Sequence, residues 1–127
     1  MNKFGSEYEL YSYLNDCGYG MVVNNTAVPI TNSTTDKQLQ QYRTISPKDF
    51  EKYKIGVCWD YCAYEEYIFR TQLKIPYTCY YIETAPPASD THSFLIFRKN
   101  GKFYKIESSF SSFRGIKKNK YKFDVIK

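Results

Sequence analysis

The sequence predicts an α+β fold: N-terminal helices, then a central helix that opens at a cysteine and packs on an antiparallel β-sheet. Three observations predict it. Helix caps and helical spacing dominate residues 6–73, and short alternating stretches follow from residue 77. An Asn100-Gly101 pair between two such stretches marks a two-residue hairpin turn. Aromatic residues make up 19% of the chain, chiefly 14 Tyr and 9 Phe, which suits a strand-rich aromatic core. With 127 residues and no internal repeat, the chain is expected to form a single domain over residues 1–127.

Taken in order, Ser6 with Glu9 has the form of a capping box, and Leu10, Tyr13, Leu14 and Cys17 follow at helical spacing. A helix over 7–17 is predicted, stopped by Gly18 and Gly20. Met21-Val22-Val23 reads as a short strand, and the Asn/Thr-rich residues after it as loop. Asn24-Asn25-Thr26 and Asn32-Ser33-Thr34 fit the glycosylation pattern but are read as chance matches, because no secretion signal precedes them. A short helix is expected over 36–43. Ser46 then caps a helix with Pro47 at its first position, running to Lys54, and Gly56 turns the chain.

The longest helix is predicted over 58–73. Cys58, Cys62, Phe69 and Leu73 share its buried stripe, flanked by Tyr61 and Ile68, with Glu65 at the stripe's edge or in a polar pocket. Pro76 stops it. Strands are expected at Tyr77–Glu83, His92–Arg98, Lys102–Ser108 and Tyr121–Ile126, with Pro86-Pro87 in the loop between the first two.

The charge balance excludes little. A formal net charge of +5 permits an anionic partner without demanding one. Cations and aromatics interleave over 114–123, a pattern that can hold single-stranded nucleic acid. The preferred reading is an edge strand whose lysines discourage aggregation, so nucleic acid is not the expected partner. No apolar run reaches membrane-spanning length and the N-terminus lacks an apolar signal region, so a cytoplasmic protein with no membrane partner is expected. Four cysteines without a secretion signal argue against disulfides, and Cys17 and Cys79 read as buried hydrophobes. Zinc on Cys58, Cys62, Cys79 and His92 lacks the two close ligand pairs of structural sites, so neither metal nor cofactor is expected.

The chemistry centres on Cys58. A thiol at a helix start lies among unpaired backbone N–H groups at the positive end of the dipole, which favours thiolate. The only histidine is His92. With a turn at Asn100-Gly101, His92 falls opposite Ser109 and Glu107 opposite Phe94, so His92 and Glu107 are diagonal neighbours on one face. The thiolate would attack a carbonyl, the imidazole shuttle the proton and the carboxylate orient the imidazole. Asp60 reads as a first-turn complement to the dipole and as the second candidate for the orienting acid. Cys62 reads as packing; its other reading is a transient disulfide protecting Cys58.

Gly56-Val57-Cys58-Trp59-Asp60, Thr91-His92-Ser93-Phe94 and Tyr104-Lys105-Ile106-Glu107 resemble the three catalytic blocks of the transglutaminase-like superfamily, whose fold is related to that of papain. The resemblance spans about residues 45–110. It implies Cys58 as nucleophile, His92 as base and Glu107 as orienting acid, where that superfamily usually has Asp. Trp59 by itself reads as core or a pocket wall, with substrate binding its expected role. The implied function is a cysteine-dependent hydrolase or acyltransferase acting on a peptide or protein amide through a thioester. The alternative is a catalytically silent domain of the same fold that binds a protein or nucleic-acid partner through its aromatic surface or basic C-terminal tail.

Overall fold

A computed structural model describes residues 1–30, 33–83, 91–108 and 121–126, without the side chains of 81–83, 91–92, 107–108 and 121–126. Asn32, the Pro86-Pro87 loop, Ser109 and the basic stretch 114–120 lie outside the described residues.

The architecture is α+β. Helix α1 (Glu7–Asn15) begins at the Ser6 cap, whose hydroxyl accepts from Glu9 N–H at 3.3 Å. It ends sooner than its spacing suggests, because Gly18 and Gly20 do not stop the helix but belong to strand β1 (Gly18–Val23). A Cβ on Gly20 would collide with the Val28 carbonyl and the Pro29 backbone, so glycine lets β2 (Thr26–Pro29) approach. β1, which contains the expected Met21–Val23 strand, forms an antiparallel hairpin with β2, where the sequence reads as loop. Its two turn residues, Asn24 and Asn25, take φ of 50° and 60°, and Asn tolerates the left-handed region that such turns need.

The next segments are short. Helix α2 (Asp36–Leu39) stops before the expected residue 43, although Thr35 and Gln38 close a complete capping box around its start. Helix α3 (Pro47–Tyr53) is capped by Ser46 and ends at Lys54, which turns left-handed at φ 54°. Strand β3 (Ile55–Gly56) then pairs in parallel with β1, Gly18 opposite Ile55 and Tyr19 opposite Gly56. This completes a small sheet in the order β2-β1-β3.

Helix α4 (Cys58–Ile68) continues into a π-helical turn, Phe69–Leu73, where one regular helix is expected. The turn closes with Lys74 N–H donating to the Phe69 carbonyl at 2.7 Å. The buried face of α4 comprises Tyr61, Tyr64, Glu65 and Ile68 together with Asp60 and Cys62. The predicted stripe is therefore rotated: Cys58 and Leu73 sit at its half-buried margins, and Glu65, only 1% exposed, lies inside it.

The second sheet runs β4 (Tyr77–Glu83), β5 (Thr91–Lys99), β6 (Lys102–Ser108) and β7 (Tyr121–Ile126), all antiparallel neighbours. Asn100 and Gly101 both take positive φ, and the β5–β6 register is the predicted one, from Lys99 opposite Lys102 to Leu95 opposite Ile106. The core lies between α1, α3, α4 and this sheet. Phe50 stacks on Tyr64 at 4.7 Å, and Phe69 lies 5.2 Å from Phe97 between centroids.

Gly56 sets how closely α3 and α4 meet. A Cβ there would stand 2.7 Å from the Asp60 Cβ and 3.0 Å from the Phe50 ring. Gly56→Ala should destabilise the fold by about 1–3 kcal/mol, the range for overpacking a tight core, read from urea unfolding.

Candidate active site

The first turn of α4 is built from its backbone outward. Val57 is the N-cap and has no side-chain acceptor, so the cap is made from the other direction. Asp60, the third helical residue, accepts from Val57 N–H at 3.0 Å through Oδ2. Its Oδ1 accepts from the Tyr42 hydroxyl at 2.8 Å and from Ile45 N–H at 3.3 Å. The carboxylate is 2% exposed, and both oxygens are engaged by the cap and by the segment before α3. Asp60 is thus a structural tie, with both oxygens engaged, and not the spare acid that its place beside Cys58 suggests. Burial raises its pKa, opposed by those three hydrogen bonds.

Cys58 occupies the first position of α4 and is half-buried. The Tyr19 hydroxyl lies near the Cys58 backbone N–H. Burial pushes the Tyr19 and Tyr42 hydroxyls well above the ordinary tyrosine range, so both stay protonated and able to donate. Nothing in the sequence around Tyr19 or Tyr42 marks them. Tyr19 reaches the site only because β1 pairs with β3, directly before α4.

Trp59 points outward. It is 45% exposed and lines a cavity of about 290 Å³ with Cys62, Glu66, Cys79, Tyr80 and Ser93. Trp59 is therefore a pocket wall and not core. Ser93 Oγ is buried there and has no hydrogen-bond partner among the described residues. The cavity wraps the outer strand of the described four-stranded sheet: Cys79 and Tyr80 are successive residues of β4, and both line it.

His92 lies in β5, paired with Ile82, and Glu107 in β6, paired with Lys122. The observed register places positions 92 and 107 diagonally on one face, that of Phe94 and Ile96. The other face, with Ser93, Leu95 and Phe97, is buried toward the helices. The side chains of His92 and Glu107 lie outside the described residues.

The remaining cysteines divide. Cys17 is buried, its thiol donates to the Tyr13 carbonyl at 3.5 Å, and burial pushes its pKa up to about 12. Cys62 is buried as expected, but Cys79 is exposed, because β4 is the outer strand of the sheet. Among the described residues no three His, Cys, Asp or Glu side chains come together as a metal site, and no helix is long and apolar enough to cross a membrane. No family model, curated protein or solved structure matches this chain.

The Asp60 tie can be measured. Asp60→Ala removes the cap and strands donors on Tyr42, Ile45 and Val57, which should cost about 2–4 kcal/mol in urea unfolding. Tyr42→Phe removes one of those bonds and should cost about 1 kcal/mol.

Proposed function

We propose that this chain is a cysteine-dependent hydrolase or acyltransferase of the transglutaminase-like kind, acting on an amide bond of a peptide or protein. The observation that carries the proposal is the first turn of α4: a half-buried thiol at the first helical position and an open cavity beginning at the next residue. A helix N-terminus favours thiolate, and an adjacent cavity gives a carbonyl substrate access.

In this reaction His92 takes the Cys58 proton and the sulfur attacks the carbonyl carbon. The same imidazole returns the proton to the leaving amine, leaving a thioester. Water or a second amine then resolves it, giving hydrolysis or acyl transfer. Glu107 holds the imidazole tautomer, and the shared face of positions 92 and 107 supports that pairing. Tyr19, whose hydroxyl lies near the Cys58 amide and stays protonated, is the side chain assigned to donate to the developing oxyanion. Positions 92 and 107 fall on the sheet face opposite the one packed against α4, so the reaction requires His92, near the start of β5, to reach Cys58 past the strand end, and that approach is the element that the proposal adds.

Iodoacetamide labelling, followed site by site by peptide mass spectrometry, separates an enzyme from a silent binding domain. Cys58 should alkylate at pH 6.5 well above the rate of an ordinary thiol, and His92→Gln should slow it. A Cys58 rate no faster than that of a free thiol overturns the catalytic reading.

Against an amide substrate found by screening, Cys58→Ser should abolish turnover. Glu107→Gln should lower kcat by about 10–10⁴-fold with the fold intact, the range for loss of an orienting carboxylate. Tyr19→Phe should lower kcat by about 10–10³-fold with little change in KM, as expected when one oxyanion donor is lost.

A further inference from the structure

Cys62, the second cysteine of α4, does not belong with Cys58. It lines the same cavity as Cys79 of β4, and the two thiols stand near enough to shift each other's titration. The two differ in access: Cys62 is buried and Cys79 exposed. We propose that Cys62 and Cys79 form a reversible disulfide, a modification site that cross-links α4 to β4 within the cavity wall. It stands on the placement of these two thiols and does not depend on Cys58 being a nucleophile.

The pair has an entry thiol and a resolving thiol. The neighbouring Cys62 thiol lowers the pKa of Cys79, which favours thiolate at the exposed sulfur, while the same neighbour and burial raise that of Cys62. The Glu66 carboxylate, 3.8 Å from the Cys79 sulfur, opposes that lowering and keeps the thiolate from being permanent. The oxidant is a small soluble disulfide of the glutathione class. The Cys79 thiolate attacks one of its sulfurs, forming a mixed disulfide and releasing one glutathione thiolate. Cys62 then loses its proton to solvent and attacks the Cys79 sulfur, forming the internal disulfide and releasing the second glutathione. The protein loses two protons and two electrons, and one glutathione disulfide takes them up to become two thiols. Oxidation also removes an S–H donor from the wall beside Trp59 and Tyr80.

The test uses the full chain in glutathione redox buffers, quenched with acid. Cys58 and Cys62 fall in one tryptic peptide, between Lys54 and Arg70, so the Cys58→Ser chain makes the linkage unambiguous. That chain should lose two free thiols and yield a peptide pair joined through Cys62 and Cys79, restored by dithiothreitol. The wild type should give the same link, located by fragmentation. Cys62→Ser should instead accumulate a stable glutathione adduct on Cys79, and Cys79→Ser should give neither a cross-link nor an adduct on Cys62. A Cys58–Cys62 disulfide as the main wild-type product overturns the proposal. So does a Cys58→Ser chain that takes up glutathione without cross-linking, or that keeps all its thiols in the most oxidising buffer. These readouts are masses, so a failure here leaves the catalytic proposal untouched, and a catalytic failure leaves this one standing.

Discussion

The structure around the candidate site depends on one buried carboxylate. Asp60 caps α4 from inside its own first turn and binds the segment that precedes α3 through Tyr42 and Ile45. A carboxylate removed from water is costly, and three donors offset that cost with charge-assisted hydrogen bonds. The sign of the remaining cost follows from its raised pKa: what Asp60 contributes to stability is fully present below its unfolded pKa and declines as pH rises through the folded value. The arrangement is therefore a constraint more than a source of stability. It fixes where the helix begins, and hence where the Cys58 sulfur stands.

Tyrosines extend that constraint into the core. Tyr61 buries its ring against Phe50 and donates its hydroxyl to the Gly18 carbonyl at 2.6 Å, joining α4 to the start of β1. Tyr64 stacks on the other side of Phe50 and donates to Glu51 at 2.6 Å, joining α4 to α3. Full burial of an aromatic side chain of this kind contributes about 1.5–3 kcal/mol, and each buried hydroxyl needs a partner. Burial thus supplies the energy and the hydroxyls set the direction. Tyr19 and Cys58 meet because the tether from Tyr61 and the β1–β3 pairing hold the same strand end against the same helix end.

The four cysteines show how far one residue type can be divided by environment. Cys17 is sealed in the core and chemically quiet. Cys58 stands at a helix start with an exposed tryptophan beside it. Cys62 is buried one turn further on, facing an exposed partner on another element. Composition counts these as four thiols, whereas depth, helix position and neighbours make them three different chemical entities.

Local signals carried much of the fold. The Ser6, Ser46 and Asn100-Gly101 signals act within a few residues, and the structure has helix starts and a turn at those places, because caps and tight turns are decided by nearby backbone. The β5–β6 register follows from its turn alone, so the shared face of positions 92 and 107 was legible before any coordinates. Other features required the folded chain. Gly18 and Gly20 resemble helix stops, but serve a close strand approach that only pairing with β2 reveals. The π turn at Phe69–Leu73 and the rotated face of α4 answer to packing against the sheet, which outweighs a regular helical wheel. The sequence by itself determined that a cysteine begins the long helix and that the hairpin register joins positions 92 and 107. Tertiary structure alone brought Tyr19 to the Cys58 amide, made Asp60 a tie and set Cys62 against Cys79, because each depends on contacts between elements distant in sequence or on a helix's rotation about its own axis.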